Sequence, residues 1–137
     1  MRTKFGVLVA GLGLFCSAVP VVAHHSFAAE YDVNKPVTLQ GAVTKVEWTN
    51  PHAHVYMDVV DEKGVVSKWN FEMASPNILE RNGWSRRALN VGDKVTLKGF
   101  SGKAVATRGI VNSITLADGR ALFAGVGSGA PDNSPDR

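Results

Sequence analysis

The chain has 137 residues, of which 15 are basic and 12 are acidic, and it contains a single cysteine. This length suits one small domain with its own hydrophobic core. The basic residues form no extended cluster, which argues against a nucleic-acid partner, and one cysteine excludes an internal disulfide.

The first 23 residues have the pattern of an export signal. Arg2 and Lys4 form a short positive region, residues 5–19 are almost continuously apolar, and the Val-Val-Ala sequence ending at Ala23 suits a signal peptidase. Cleavage after Ala23 would remove Cys16 and leave 13 basic against 12 acidic residues. Because the apolar run is short for a transmembrane helix, we expect an exported, periplasmic protein without a stable membrane anchor.

The remaining chain has a strand-rich pattern with one helical interruption. Alternating apolar and polar residues predict five β-strands, at residues 37–48, 53–60, 65–73, 94–100 and 109–116. Ser75, Pro76 and Gly83 indicate a short helix from residue 76 to about 82. Residues 121–124 form a last apolar piece, and the tail 125–137, rich in Gly, Ser and Pro, is expected to be disordered.

Five strands with a helix after the third predict an all-β domain over residues 37–124, arranged as an OB-like five-stranded barrel. Gly41 lies in the middle of the first strand, where glycine often marks a bulge or a strong bend. A small open β-sandwich with the same number of strands is the alternative. Residues 24–36 form an N-terminal segment ahead of this domain.

Several short motifs accompany this pattern. They are His-His-Ser-Phe at residues 24–27, Glu-Trp-Thr-Asn-Pro-His at 47–52, Ser-Pro-Asn at 75–77 and Asp-Gly-Arg at 118–120. In this combination the chain resembles a family of small exported bacterial proteins of unknown function, over nearly the whole mature length. The resemblance implies an exported single domain and supplies no activity. His54 stands where the family's usual pattern has a bulky aromatic residue.

The four histidines form two close pairs, His24 with His25 and His52 with His54. Cleavage after Ala23 would make His24 the terminal residue, whose α-amine and imidazole can chelate one metal ion together. Alternatively, His25 can bind with the terminal amine and the intervening amide, an arrangement that favours Cu(II) or Ni(II). The four histidines therefore predict a metal site, with copper the first candidate and zinc the second.

A shared site requires the N-terminal segment to reach the second pair. If the first strand runs from one barrel end to the other, residues 24–36 must return along the barrel, and extended they span at most roughly 40 Å. Phe27, Ala28 and Tyr31 can dock this segment as an extra edge strand, and a site between two molecules is the other solution. In a shared site, an imidazole of one pair is expected within about 8 Å of the other pair.

The second hypothesis is a non-catalytic OB-like module that binds a periplasmic protein or a small ligand. OB barrels present a binding face on their second and third strands. Trp69 is assigned to the core, and the chain carries no recognisable catalytic motif, so an enzyme is the less favoured class. The residues predicted to form the ligand face are Trp48, Tyr56, Asp58, Lys68 and Asn70.

Overall fold

The computed structural model describes residues 27–125, so His24, His25, the export signal and residues 126–137 lie outside the described part of the chain. The described residues form an all-β domain with two short helices, which confirms the predicted fold class. In chain order the elements are α1 (Phe27–Glu30), β1 (Tyr31–Glu47), β2 (His54–Val60), β3 (Val66–Glu72), α2 (Pro76–Arg81), β4 (Lys94–Gly102), β5 (Arg108–Thr115) and β6 (Ala121–Phe123).

Five of these strands close into a ring. Along the sheet the order is β3-β2-β1-β4-β5-β6, and β3 also pairs with β5. The closing β3–β5 ladder is parallel and joins Asn70 to Arg108 and Glu72 to Ile110. The other pairings are antiparallel, and β6 pairs with the last part of β5, beyond the ladder with β3. The closed order fits the predicted OB-like arrangement.

The long first strand, β1, pairs with two neighbouring strands in succession. Its first part pairs with β4 and its last part with β2, and Ala42 is the residue that pairs with both Lys94 and Asp58. Gly41 lies at this transition, where a Cβ atom would be only 2.3 Å from the Asp58 carbonyl oxygen. Glycine is therefore required here because β1 and β2 approach too closely for any side chain.

The first strand begins earlier than the sequence predicted. It starts at Tyr31 instead of residue 37, and α1, which precedes it, was not foreseen. Pro36 lies within the strand opposite Phe100, with a register irregularity between Tyr31 and Pro36. Proline cannot donate to a ladder, and this irregular position in β1 accommodates it. The other strands match the predicted ranges to within two residues.

The core fills the interior of the ring and extends under α2. Its largest fully buried side chains come mainly from the strands, with Leu79 from α2 and Met73 from just after β3: Phe71, Met57, Met73, Leu79, Leu97, Ile114, Val43, Val55 and Val111. Ser75 has the extended backbone of an N-cap but makes no side-chain capping bond, and Gly83 follows α2 with a φ of +88°. Neither helix in residues 27–125 is long and apolar enough to cross a membrane.

Candidate functional site

The outward face of β2 and β3 carries a continuous set of polar side chains. Because β2 and β3 alternate, the inward positions hold Val55, Met57 and Phe71, and the intervening residues point outward. The antiparallel register sets three outward pairs directly opposite one another, namely His54 and Glu72, Tyr56 and Asn70, and Asp58 and Lys68. Four of the five predicted ligand residues thus share one face with His54.

Glu72 bridges two distant parts of the chain at one end of this face. One carboxylate oxygen contacts His52 Nδ1, and the other accepts a hydrogen bond from the Tyr31 hydroxyl. The Glu72 side chain is only 17% exposed, so solvent weakens these contacts little. Burial of Tyr31, followed by the hydrogen bond to Glu72 and the charges of Glu72 and Glu30, raises the pKa of the Tyr31 phenol.

The start of β1 is anchored beside Glu72 by apolar and backbone contacts. The Phe27 ring packs 5.6 Å from Tyr31 and edge-on against Phe100 at 5.7 Å, as measured between ring centroids. The Lys103 backbone N–H donates to the Glu30 carbonyl at 2.9 Å, and its ammonium contacts the Ala28 carbonyl. Phe27 and Tyr31 therefore anchor this segment, but as helix α1 and the start of β1 and not as the extra edge strand that the sequence suggested.

Residues 31–36 do not form the separate return strand that the sequence suggested, because they are the start of β1 itself. Strands in a closed ring are tilted and staggered, and the two ends of β1 contact two adjacent strands, β2 and β3. Glu47, at the end of β1, pairs with His54, while the hydroxyl of Tyr31, at its start, reaches Glu72. Because His54 and Glu72 are themselves paired, residues 31–36 bring the chain to the histidine end without a separate return strand.

The two described histidines use the same ring nitrogen for their protein contacts. His54 Nδ1 lies 3.0 Å from Asn70 Oδ1, which can only accept, so Nδ1 donates. His52 lies before β2, in the loop, and directs its Nδ1 to Glu72. In neutral imidazole the unprotonated nitrogen is then Nε2 on both rings. An oxygen partner on one ring nitrogen is the usual arrangement of a histidine that binds a metal through the other.

A second carboxylate network flanks His54 on its β1 side. Glu47 contacts the Lys45 ammonium and accepts a hydrogen bond of 3.0 Å from the Tyr56 hydroxyl, while Lys45 lies 5.1 Å from the centroid of the Tyr56 ring. The Lys45 contact, and then the Tyr56 hydrogen bond, lower the pKa of Glu47. Desolvation, and then the bond to Glu47, raise the pKa of Tyr56. Glu47 therefore stays ionised beside His54.

Within residues 27–125 no group of three or more His, Cys, Asp or Glu side chains has a geometry suited to a metal ion. His52 and His54 engage different partners, Glu72 and Asn70. His24 and His25 lie outside the described residues, so the distance of about 8 Å expected between the two histidine pairs stays a prediction. A site with more than two histidine ligands would therefore need residues outside this range.

The tryptophans take core positions. Trp48 is half-buried against the core, and its Nε1 atom has no hydrogen-bond partner among the described residues. Trp69 also packs on the core and stacks on Phe71 with ring centroids 5.2 Å apart, as its parity predicted. Trp84 is buried and donates a 2.8 Å hydrogen bond to the Phe123 carbonyl. Trp48 thus stands apart from the four outward ligand candidates.

Two residues of the site, Glu72 and Arg108, were not singled out from the sequence. Glu72 continues the alternation of Lys68 and Asn70, and counting back from the 61–64 turn pairs it with His54. This signal was present in the sequence. Arg108 is brought beside Asn70 by the parallel β3–β5 ladder, which no local pattern indicates.

Comparison with known protein families gives one match. The model of a family of unknown function, DUF6152, matches residues 11–112. The chain belongs to DUF6152. This agrees with the resemblance drawn from the sequence motifs, at the level of a family without a defined activity. No curated protein and no solved structure gives a significant match to this DUF6152 chain.

Proposed function

We propose that this DUF6152 protein is an exported, periplasmic metal-binding protein that handles or senses copper. The metal ligands are His52 and His54 together with the mature N-terminus, His24 and His25. The single observation that carries this proposal is the orientation of the two described histidines, whose Nδ1 atoms contact Glu72 and Asn70. Both Nε2 atoms are thereby left as the nitrogens that can bind a metal.

The anchored start of β1 supports a contribution from the N-terminus. Tyr31 shares the Glu72 carboxylate with His52, so the N-terminal segment and the histidine loop meet at one side chain. Phe27, which packs on Tyr31, is separated from His24 by three residue steps, and three extended residues span at most about 10 Å. The chain leading back to His24 and His25 therefore starts at Phe27, whose packing on Tyr31 links it to the Glu72 carboxylate.

The ligand chemistry favours copper over zinc. All proposed ligands are imidazole or amine nitrogens, and the mature chain has no cysteine after cleavage. Nitrogen sets of this kind, with an α-amine, suit the tetragonal geometry of Cu(II), whereas structural zinc sites commonly include thiolates. The terminal amine must lose its proton, so binding should strengthen as pH rises toward its usual pKa of about 8.

The test is a Cu(II) titration of metal-free protein that begins at His24, with an intact mass confirming that terminus. His52→Ala and His54→Ala each remove one imidazole and should weaken binding by at least ~10-fold. A version with three extra glycine or serine residues before His24 keeps every imidazole but separates the α-amine from them, and should weaken binding similarly. Asp58→Asn lies on the same outward face, outside both histidine contacts, and should bind like the parent.

Two results would contradict the proposal. One is an affinity unchanged in His52→Ala, His54→Ala and the extended version alike. The other is an exported protein whose mass shows that processing has removed His24 and His25, because the amine–imidazole chelate would then be absent. A parallel Zn(II) titration tests metal preference, and tighter binding of zinc than of copper would contradict the choice of copper.

A second candidate function is a non-catalytic module that binds a periplasmic protein through the outward face of β2 and β3. The observation that favours it is the direct opposition of Tyr56 to Asn70 and of Asp58 to Lys68, which forms a mixed polar surface without an intervening gap. Capture of the same periplasmic protein by metal-free parent protein, and its loss in Tyr56→Ala, would support this function. Capture that stops when a chelator is added would contradict it.

A further inference from the structure

A cleft of about 420 Å³ lies between the starts of β1 and β2, the end of β3 and the β4–β5 connection. Its volume falls in the range of small-molecule sites. It shares His54 with the histidine pair, and Glu72 and Asn70, which contact the two histidines, also line it, whereas Lys103, Val105 and Arg108 have no role in the proposed metal site. The cleft lining includes Tyr31, Asn70, Glu72, Lys103, Val105 and Arg108.

Backbone contacts hold both sides of the cleft. On one side Lys103 is bonded to the Glu30 carbonyl, which fixes the β4–β5 connection to the start of β1. On the other side the Arg108 backbone N–H donates to the Val105 carbonyl at 3.0 Å, and the Ser101 hydroxyl donates to the Ala106 carbonyl at 2.7 Å. The cleft is therefore formed before any ligand binds.

Some polar groups of the cleft are already engaged within the protein, and others remain to bind a ligand. Both carboxylate oxygens of Glu72 already have partners, and the amide oxygen of Asn70 already accepts from His54. The Asn70 amide NH₂ remains as a donor. Among residues 27–125, no salt bridge involves Arg108. Arg108 lies directly beside Asn70 in the parallel β3–β5 ladder. The available groups are therefore mainly donors, and one of them is a cation.

We propose that this cleft binds a small organic carboxylate, with its anionic group at Arg108 and Asn70 and a short apolar body against Ala104 and Val105. A guanidinium and an amide NH₂ match the two oxygens of a carboxylate. Glu30 and Glu72 also line the cleft, and Lys103 adds a second positive charge beside Arg108. This inference goes beyond the metal site and requires no metal.

The experiment uses the protein beginning at His24, kept metal-free with a chelator, and butyrate as the probe. Binding is followed by amide chemical-shift changes in two-dimensional NMR. Saturable shifts are expected at Asn70 and across residues 103–109. Butyramide has the same shape without the charge and should bind at least ~10-fold more weakly, the loss expected when a charge-assisted hydrogen bond is removed.

Variants separate a specific site from general attraction of anions. Arg108→Ala should weaken butyrate binding by at least ~10-fold, Arg108→Lys should fall between Ala and the parent, and Arg86→Ala, an exposed arginine of the α2–β4 loop, should bind like the parent. Equal binding of butyrate and butyramide, unchanged affinity in Arg108→Ala, or no saturable shift with butyrate would each overturn the proposal. Because no metal is present, failure here leaves the copper titration unaffected.

Discussion

Glu72 is the side chain whose alteration tests the described site most sharply. Glu72→Gln preserves the size of the side chain but leaves one acceptor oxygen where the carboxylate has two. It can accept from Tyr31 or from His52, not from both, and its NH₂ group then faces a donor. Because Glu72 is only 17% exposed, the loss should approach the value of one charge-assisted hydrogen bond, about 2 kcal/mol.

The assay is reversible thermal unfolding at pH 7 of the protein beginning at His24. For a chain of this length, about 2 kcal/mol corresponds to a fall in Tm of about 10 °C. Glu62→Gln is the matched control, since Glu62 is exposed in the β2–β3 turn and should change Tm little. Tyr31→Phe should also lower stability, and the double variant should lose less than the sum of the two, because the Tyr31–Glu72 bond can be removed only once.

The reasoning would be refuted if Glu72→Gln and Glu62→Gln had the same Tm within about 2 °C, since a buried bridging carboxylate cannot be neutral to stability on the argument above. Strictly additive losses for Tyr31→Phe and Glu72→Gln would refute the hydrogen bond between them, while leaving the His52 contact possible.

Two further predictions concern stability. Contact with Lys45 lowers the pKa of Glu47 in the folded state. The ionised Glu47 carboxylate therefore stabilises the fold above its unfolded pKa, and this stabilisation is lost as pH falls through the folded pKa. Glu47→Gln should therefore lower Tm at pH 7 but not at about pH 2, and an equal effect at both would contradict this. In Gly41→Ala the new Cβ would lie 2.3 Å from the Asp58 carbonyl oxygen, so this variant should strongly lower the urea midpoint of unfolding. The control Gly64→Ala meets nothing within 4 Å and is strained only by its φ of +79°, so its midpoint should fall far less. Equal losses in the two variants would contradict the close approach of β1 and β2.

Much of the fold follows from local patterns. Alternation of apolar residues gave the strands around Val55, Met57 and Phe71, and all three are buried. The 61–64 turn set the β2–β3 register, from which the opposition of Tyr56 and Asn70 follows by counting. These features depend on neighbouring residues, which is why a single sequence carries them.

The remainder depends on contacts between distant residues. The parallel ladder that joins Asn70 to Arg108 closes the ring and forms one side of the cleft, but no local periodicity encodes such a pairing. Likewise, the alternation predicted a strand start at residue 37, whereas pairing with β4 carries the strand back to Tyr31. The Tyr31–Glu72–His52 contact could not be foreseen without that extension, since it requires both ends of β1 to reach one place.

The most direct test of the proposed shared site counts imidazoles on the bound metal. One equivalent of Cu(II) is added to protein beginning at His24, and pulsed electron paramagnetic resonance detects the remote nitrogen of each coordinated imidazole. Imidazoles from both histidine pairs are expected on the bound Cu(II). The remote-nitrogen signal should be reduced in His52→Ala, and the spectrum should be unchanged in Asp58→Asn. A spectrum identical in the parent, His52→Ala and His54→Ala would mean that copper is held by the terminus alone, and would contradict the shared site.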